Sequence, residues 1–179
     1  MDAYLIACRS SLEHSLAEGL ELLALPADTL NRRPAGGGWS AAECLAHLNA
    51  TTEKYAPCIA NAVDQARRRA WLAHKSFRPG WFERFFLGSI EPGNKRKFKA
   101  PAVFQPPPGL TISTIEQEWR ATHSRMFELM NCSDELDLKR PKVTSPATRF
   151  LRLSLGASFA LVATHDRRHI LQAKHAIEK

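Results

Sequence analysis

Two histidines, His165 and His169, stand four residues apart near the end of this 179-residue chain. On a helix that spacing puts both imidazoles on one face, about 40° apart around the axis, so both can reach a single point. Such a pair is either part of a metal site or two hydrogen-bonded side chains with no chemistry to perform. A third ligand from elsewhere decides between them. The string between them reads His-Asp-x-x-His, and Asp166 is one methylene shorter than the glutamate that serves as general base in zinc proteases. That shortfall argues against a protease. Asp166 itself projects about 100° away from His165 and is expected as a surface or inter-helix partner for arginine.

A second segment offers the third ligand. Ser40 followed by Glu43 is a capping box that starts a helix, with Trp39 placed to staple onto Cys44. His47 then falls in the second turn, in line with Cys44, Leu48 and Thr51 on the inward face. Three neutral imidazoles leave a divalent ion with exchangeable positions, as in catalytic rather than structural zinc sites, and an ion so held draws the pKa of a water or thiol toward neutrality. The donor set suits Zn, Ni, Fe or Mn alike. Glu43 and Gln172, each one turn from a proposed ligand, are candidates to accept a ring N–H and fix its tautomer. Cys44 lies close enough along the helix to approach the same ion. His14, His74, His123 and His175 lack comparable spacing and are expected as surface or core residues.

Four helices must position these residues. Leu5, Cys8, Leu12, Leu16, Leu20 and Leu23 repeat at helical spacing, which predicts a first helix over 2–24. The second runs from Ser40 to about Ala73, kinked or locally broken at Pro57. Ser113 and Glu116 form a further capping box for a third helix that buries Ile115, Trp119, Met126 and Leu129. The fourth starts near Ser154 and runs to the end, with Leu155, Phe159, Val162 and Leu171 on its apolar side. No alternating pattern predicts a strand. The connection over 75–109 is too long to be a simple turn. Within it, Trp81, Phe82, Phe85 and Phe86 make one face of a short helix aromatic, expected to plug an end of the bundle rather than to meet a membrane or partner.

The pattern Trp39-Ser40-x-x-Glu43-x-x-x-His47-Leu48, the long basic connection, the segment 97–106 and the late His165-x-x-x-His169-x-x-Gln172 together resemble the DinB-like (YfiT-like) metal-binding superfamily. The resemblance spans nearly the whole chain. It implies an all-α, up-down-down-up four-helix bundle with a long crossover between helices 2 and 3, and a metal on one histidine of helix 2 and two of helix 4, here His47, His165 and His169. It further implies a metal-dependent enzyme of the thiol S-transferase or hydrolase type, or else a non-catalytic metal- or ligand-binding protein. One departure stands out: Gly156 and Ala157 occupy positions where a Glu or Gln would complete the cap of the fourth helix.

Composition agrees with a soluble chain forming one domain over 1–179. It is 44% hydrophobic and 24% charged, ordinary values for a globular protein. No apolar run approaches the roughly 18 residues of a membrane span, and the first residues lack a basic-then-apolar leader, so a cytoplasmic protein without a membrane partner is expected. The four cysteines, Cys8, Cys44, Cys58 and Cys132, are scattered, as buried thiols in a reducing compartment are. A net charge of +7, with clusters at Arg67, Arg68 and Arg69 and at Lys95, Arg96, Lys97 and Lys99, suits an anionic small-molecule substrate, to which the resemblance adds a thiol. A nucleic-acid surface would also be basic, but no nucleic-acid-binding motif accompanies the charge. A homodimer is left open. The connection is expected to lie over the open side of the metal, with Phe98 and Phe104 supplying apolar substrate contacts or capping the core.

Overall fold

The computed structural model of the chain describes residues 1–94 and 100–178. Four long helices form a bundle: α1 (Ala3–Leu23), α3 (Ala41–Arg68), α5 (Ile112–Cys132) and α6 (Leu155–Ile177). Two short helices, α2 (Ala27–Asn31) and α4 (Trp81–Ser89), lie in the connections, with a 3-10 turn at Ala102–Phe104. The strands β1 (Lys142–Thr144) and β2 (Arg152–Ser154) pair antiparallel just before α6, Val143 opposite Leu153. No alternation predicted this hairpin, because three residues per strand are too few to show a period.

Side-chain ties fix the directions of the helices. Asn49 Nδ2 donates to the Ile115 carbonyl at 2.9 Å near the start of α3 and α5, and Arg67 Nε donates to the Cys132 carbonyl at 3.2 Å at their ends, so these two run parallel. Phe77 links the start of α1 to the start of α6: its N–H donates to Asp2 Oδ2 at 2.9 Å and its ring lies on Gly156, where a Cβ would meet it at 2.7 Å. Lys174 pairs with Glu18 near the other ends of the same two helices. Trp119 Nε1 to the Leu16 carbonyl (3.2 Å) and Arg9 Nη1 to Asn131 Oδ1 (3.0 Å) set α5 antiparallel to α1. The result is the up-down-down-up bundle, with the crossover between α3 and α5.

Helix boundaries differ in detail from those expected. α3 ends at Arg68 rather than near Ala73, and it passes through Pro57 without a break. Pro57 sits on the exposed side with Glu53 and Lys54, where water can satisfy the carbonyl that loses its N–H donor. The cap of α5 is Thr111, whose hydroxyl accepts from Thr114 N–H at 3.2 Å, not Ser113. In α6 Leu171 is 37% exposed and Ile170 takes the inward position. Leu129 is half-buried, and Met130 packs inside instead.

α4 contradicts the plug that its aromatics suggested. Trp81, Phe82 and Phe85 are 76%, 45% and 63% exposed. The face turned inward carries Glu83 and Leu87, and Glu83 has a structural use there. Its Oε2 accepts from Gly80 N–H and its Oε1 from Ser154 N–H, both at 2.8 Å. One carboxylate thereby caps α4 and also completes the cap of α6, whose own N3 residue is Ala157.

The apolar core is in two parts. One surrounds Leu12, Ile59, Met126 and Phe159, the other Leu22, Leu45, Trp119 and Ile170. Between them each long helix passes through buried polar residues: Ser15 in α1, His47, Asn49 and Thr51 in α3, Thr122 and His123 in α5, and Thr164 and Asp166 in α6. No helix among the described residues is long and apolar enough to cross a membrane.

Candidate metal centre

The Ser40 box places His47 by fixing where α3 begins. Ser40 Oγ accepts from Glu43 N–H at 3.1 Å and Glu43 Oε2 accepts from Ser40 N–H at 2.8 Å. α6 presents His165 and His169 on one face, and one nitrogen from each of the three histidines falls within 4.8 Å of the others. His47 Nε2 is 3.3 Å from His165 Nε2. Two nitrogens each about 2.0–2.1 Å from a tetrahedral ion stand roughly 3.4 Å apart, so this pair already has the spacing that a shared ion requires.

Hydrogen bonding sets the tautomer of His47. Its Nδ1 lies 2.6 Å from the Phe104 carbonyl oxygen, which can only accept. Nδ1 therefore carries the proton, and Nε2 turns its lone pair toward His165. The indole of Trp39 packs on the site, its ring centroid 4.6 Å from that of His47 and 5.9 Å from that of His169. It contacts the ligands rather than serving merely as a staple. His169 Nδ1 is buried and has no hydrogen-bond partner among the described residues.

Electrostatics keep all three rings neutral. Burial lowers the pKa of His47, only partly opposed by the Phe104 carbonyl. Burial also holds His165 well below the ordinary value of 6.5, with His169, His47 and Arg168 adding repulsion. His169 falls to about 3, first through burial and then through His47, while the neighbouring Gln172 favours its charged form. Neutral, converging imidazoles, one of them with an orphaned buried nitrogen, fit a divalent first-row ion.

Gln172 lines the cavity beside His169 as expected, whereas Glu43 and Cys44 serve elsewhere. Glu43 is committed to its cap and to Arg33, so the group orienting His47 is the Phe104 carbonyl, 57 residues away in sequence. Cys44 is fully buried in the second apolar cluster, its thiol pushed up to about 12 by burial, and it is not part of the histidine group. Asp166 is not exposed, and among the described residues it is not paired with arginine. It is 1% exposed, and its Oδ2 lies 3.2 Å from Nε2 of the equally buried His123, close enough for charge contact but not aligned as a hydrogen bond. Burial raises the pKa of Asp166 and His123 opposes that rise. His14, His74 and His175 are exposed.

The histidines open into a cavity of about 740 Å³. Its walls include Tyr55, Phe86, Phe104, Leu151 and Leu161, together with Arg168. Phe104 both lines this cavity and packs into the core against Tyr55, ring centroids 5.8 Å apart. The expected core-cap position is met, and the same ring borders the cavity. Phe98 and the cluster Lys95, Arg96, Lys97 and Lys99 lie outside the described residues.

A family model of the DinB superfamily matches residues 11–173. The chain belongs to the DinB superfamily. The match takes in His47, His165 and His169, the residues that the bundle brings together. No curated protein and no solved structure matches this DinB-superfamily chain.

Proposed function

We propose that this protein is a metal-dependent enzyme of the thiol S-transferase or hydrolase type, with His47, His165 and His169 holding a divalent ion at the floor of the 740 Å³ cavity. The observation that carries the reading is the convergence of three neutral imidazoles, two of them 3.3 Å apart, in a concave and largely apolar site. When bound, the ion would act as a Lewis acid that activates a thiol or a water at neutral pH.

The chain's own residues supply the rest. Phe104 holds the His47 tautomer, and Trp39 shields the ligands from bulk water. Arg168 donates through Nη1 to the Glu91 carbonyl (3.2 Å) and through Nη2 to the Asn94 carbonyl (3.3 Å), which holds its positive charge at the cavity. That charge favours an anionic group on the substrate. Among the described residues no carboxylate lines the cavity, so no Asp or Glu stands ready as a general base. Ionisation by the ion itself would serve a thiol or a water alike there.

Metal per chain, measured by mass spectrometry on protein purified without a histidine tag, tests the premise. Wild type should carry about one ion, and His47→Ala, His165→Ala and His169→Ala should each lose it. A variant that keeps full occupancy would remove that residue from the ligand set. Thiol-dependent consumption of a haloalkyl electrophile by the loaded wild type then tests the reaction. Metal without any such turnover would select the non-catalytic binding protein.

A further inference from the structure

At the far end of the bundle, away from the histidines, the loop after α3 and the loop after α5 enclose a second cavity of about 750 Å³. Phe77 and Leu138 in its lining meet Gly156, nine residues before His165, so the two sites stand roughly 14 Å apart along α6. Phe77, Leu136 and Leu138, all buried, form the apolar part of the lining. His74, Lys75, Arg78, Lys139 and Arg140 surround it, all exposed.

The charge balance there is uneven. Four fixed cations meet two carboxylates, Asp2 and Asp137, a surplus of two fixed positive charges. Both acids are occupied by backbone N–H groups: Asp2 by Tyr4 and Phe77, Asp137 by Lys139 and Arg140. None of the four cations forms an ion pair with a carboxylate among the described residues. Arg140 instead lies over the Trp71 ring, 4.4 Å from its centroid. Like charges gathered around a concavity repel one another, and an anion bound among them relieves that repulsion.

The walls are also pre-formed. Ala73 N–H donates to the Glu135 carbonyl at 2.9 Å and Asp137 N–H to the Trp71 carbonyl at 2.8 Å, lacing the two loops together, while Gly156 N–H ties Leu138 to α6 at 2.9 Å. Ala70 and Glu135, the non-glycine residues with positive φ among those described (48° and 62°), turn the chain at these two loops. Backbone strain of this kind persists where the surroundings hold it, and it concentrates at binding sites.

We propose that this cleft is a second ligand site, separate from the histidine centre, that binds a small molecule through two or more phosphate groups. A diphosphate carries two to three negative charges near neutral pH and so matches the surplus. Titration calorimetry of the full chain with inorganic pyrophosphate, after dialysis against chelator, tests it. The expected result is one pyrophosphate per chain, weakened by added salt because salt screens the exposed charges.

Lys139→Gln/Arg140→Gln on one wall and Lys75→Gln/Arg78→Gln on the other should each weaken binding tenfold or more while circular dichroism and metal content stay unchanged. His165→Ala should bind pyrophosphate as wild type does, whether or not the histidine centre proves to hold a metal. No binding at millimolar pyrophosphate, unchanged binding in both double variants, or loss of binding in His165→Ala would overturn the proposal. So would much tighter binding of a single-stranded oligonucleotide that the same double variants weaken, which would make the cleft part of a nucleic-acid surface.

Discussion

The histidines reach the centre under two kinds of constraint. His47 is set by a cap seven residues earlier and locked by a loop carbonyl, whereas His165 and His169 are set by their helical spacing. The cap and the spacing are local, which is why all three residues were legible in the sequence. The Phe104 carbonyl and the His123–Asp166 contact were not, because a backbone oxygen has no residue type to read and each contact joins distant segments. Burial of the three rings also has a pH consequence. Their folded pKa values lie below the ordinary 6.5, so metal-free protein has their full contribution to stability above pH 6.5 and loses it as pH falls toward the folded values. For His169, whose folded value is about 3, the loss between pH 6.5 and 5 is at most about 2 kcal/mol. Thermal melts of chelator-treated protein should fall over that range, and His169→Leu should melt with a shallower pH dependence. Parallel curves for the two proteins would show that His169 does not exclude its proton on folding.

Among the elements, the four long helices were legible because their apolar stripes and caps are dense, whereas α4 was misread. A run of Trp81, Phe82, Phe85 and Phe86 looks like an inward face, yet the turn it makes is set by Glu83, which reaches two helix ends at once. Hydrophobicity alone cannot anticipate a carboxylate that completes a cap 71 residues away. Burial resists ionisation of Glu83, but the Ser154 and Gly80 N–H groups outweigh it and its pKa is lowered. Its stabilising contribution is therefore present above the ordinary carboxylate range and fades as pH falls through the folded value. Glu83→Ala leaves two N–H groups without their charged acceptor, a loss of about 3 kcal/mol taking 1.5 for each bond, whereas Glu83→Gln keeps one acceptor and should lose less. Urea unfolding at pH 7 checks the order, and at pH 3 the gap between wild type and Glu83→Ala should narrow. A gap that does not change with pH would mean that the carboxylate charge is not what holds the two caps.

In the whole molecule, a buried polar band separates two apolar clusters, and the histidine centre sits where that band meets the cavity. A bundle organised this way would leave a bound ion a minor share of the folding free energy. Both clusters are built from long side chains with almost no exposure, such as Leu12, Leu45, Ile59, Trp119 and Phe159, whose burial does not depend on an ion. The polar band is held by its own contacts, Asn49 to Ile115 and His123 beside Asp166. Zinc fingers behave differently, because their few apolar residues cannot fold without metal. Here, stripping metal at pH 7 should leave helical circular dichroism unchanged, and the melting temperature should drop only by the linkage that binding adds, which grows with free ion as RT ln(1 + [L]/Kd). Titrating zinc back should raise the melt in proportion to the logarithm of its concentration, and His165→Ala should abolish the response. Loss of helical signal on chelation would instead make the ion a structural element of the bundle, with the three histidines serving the fold before any reaction.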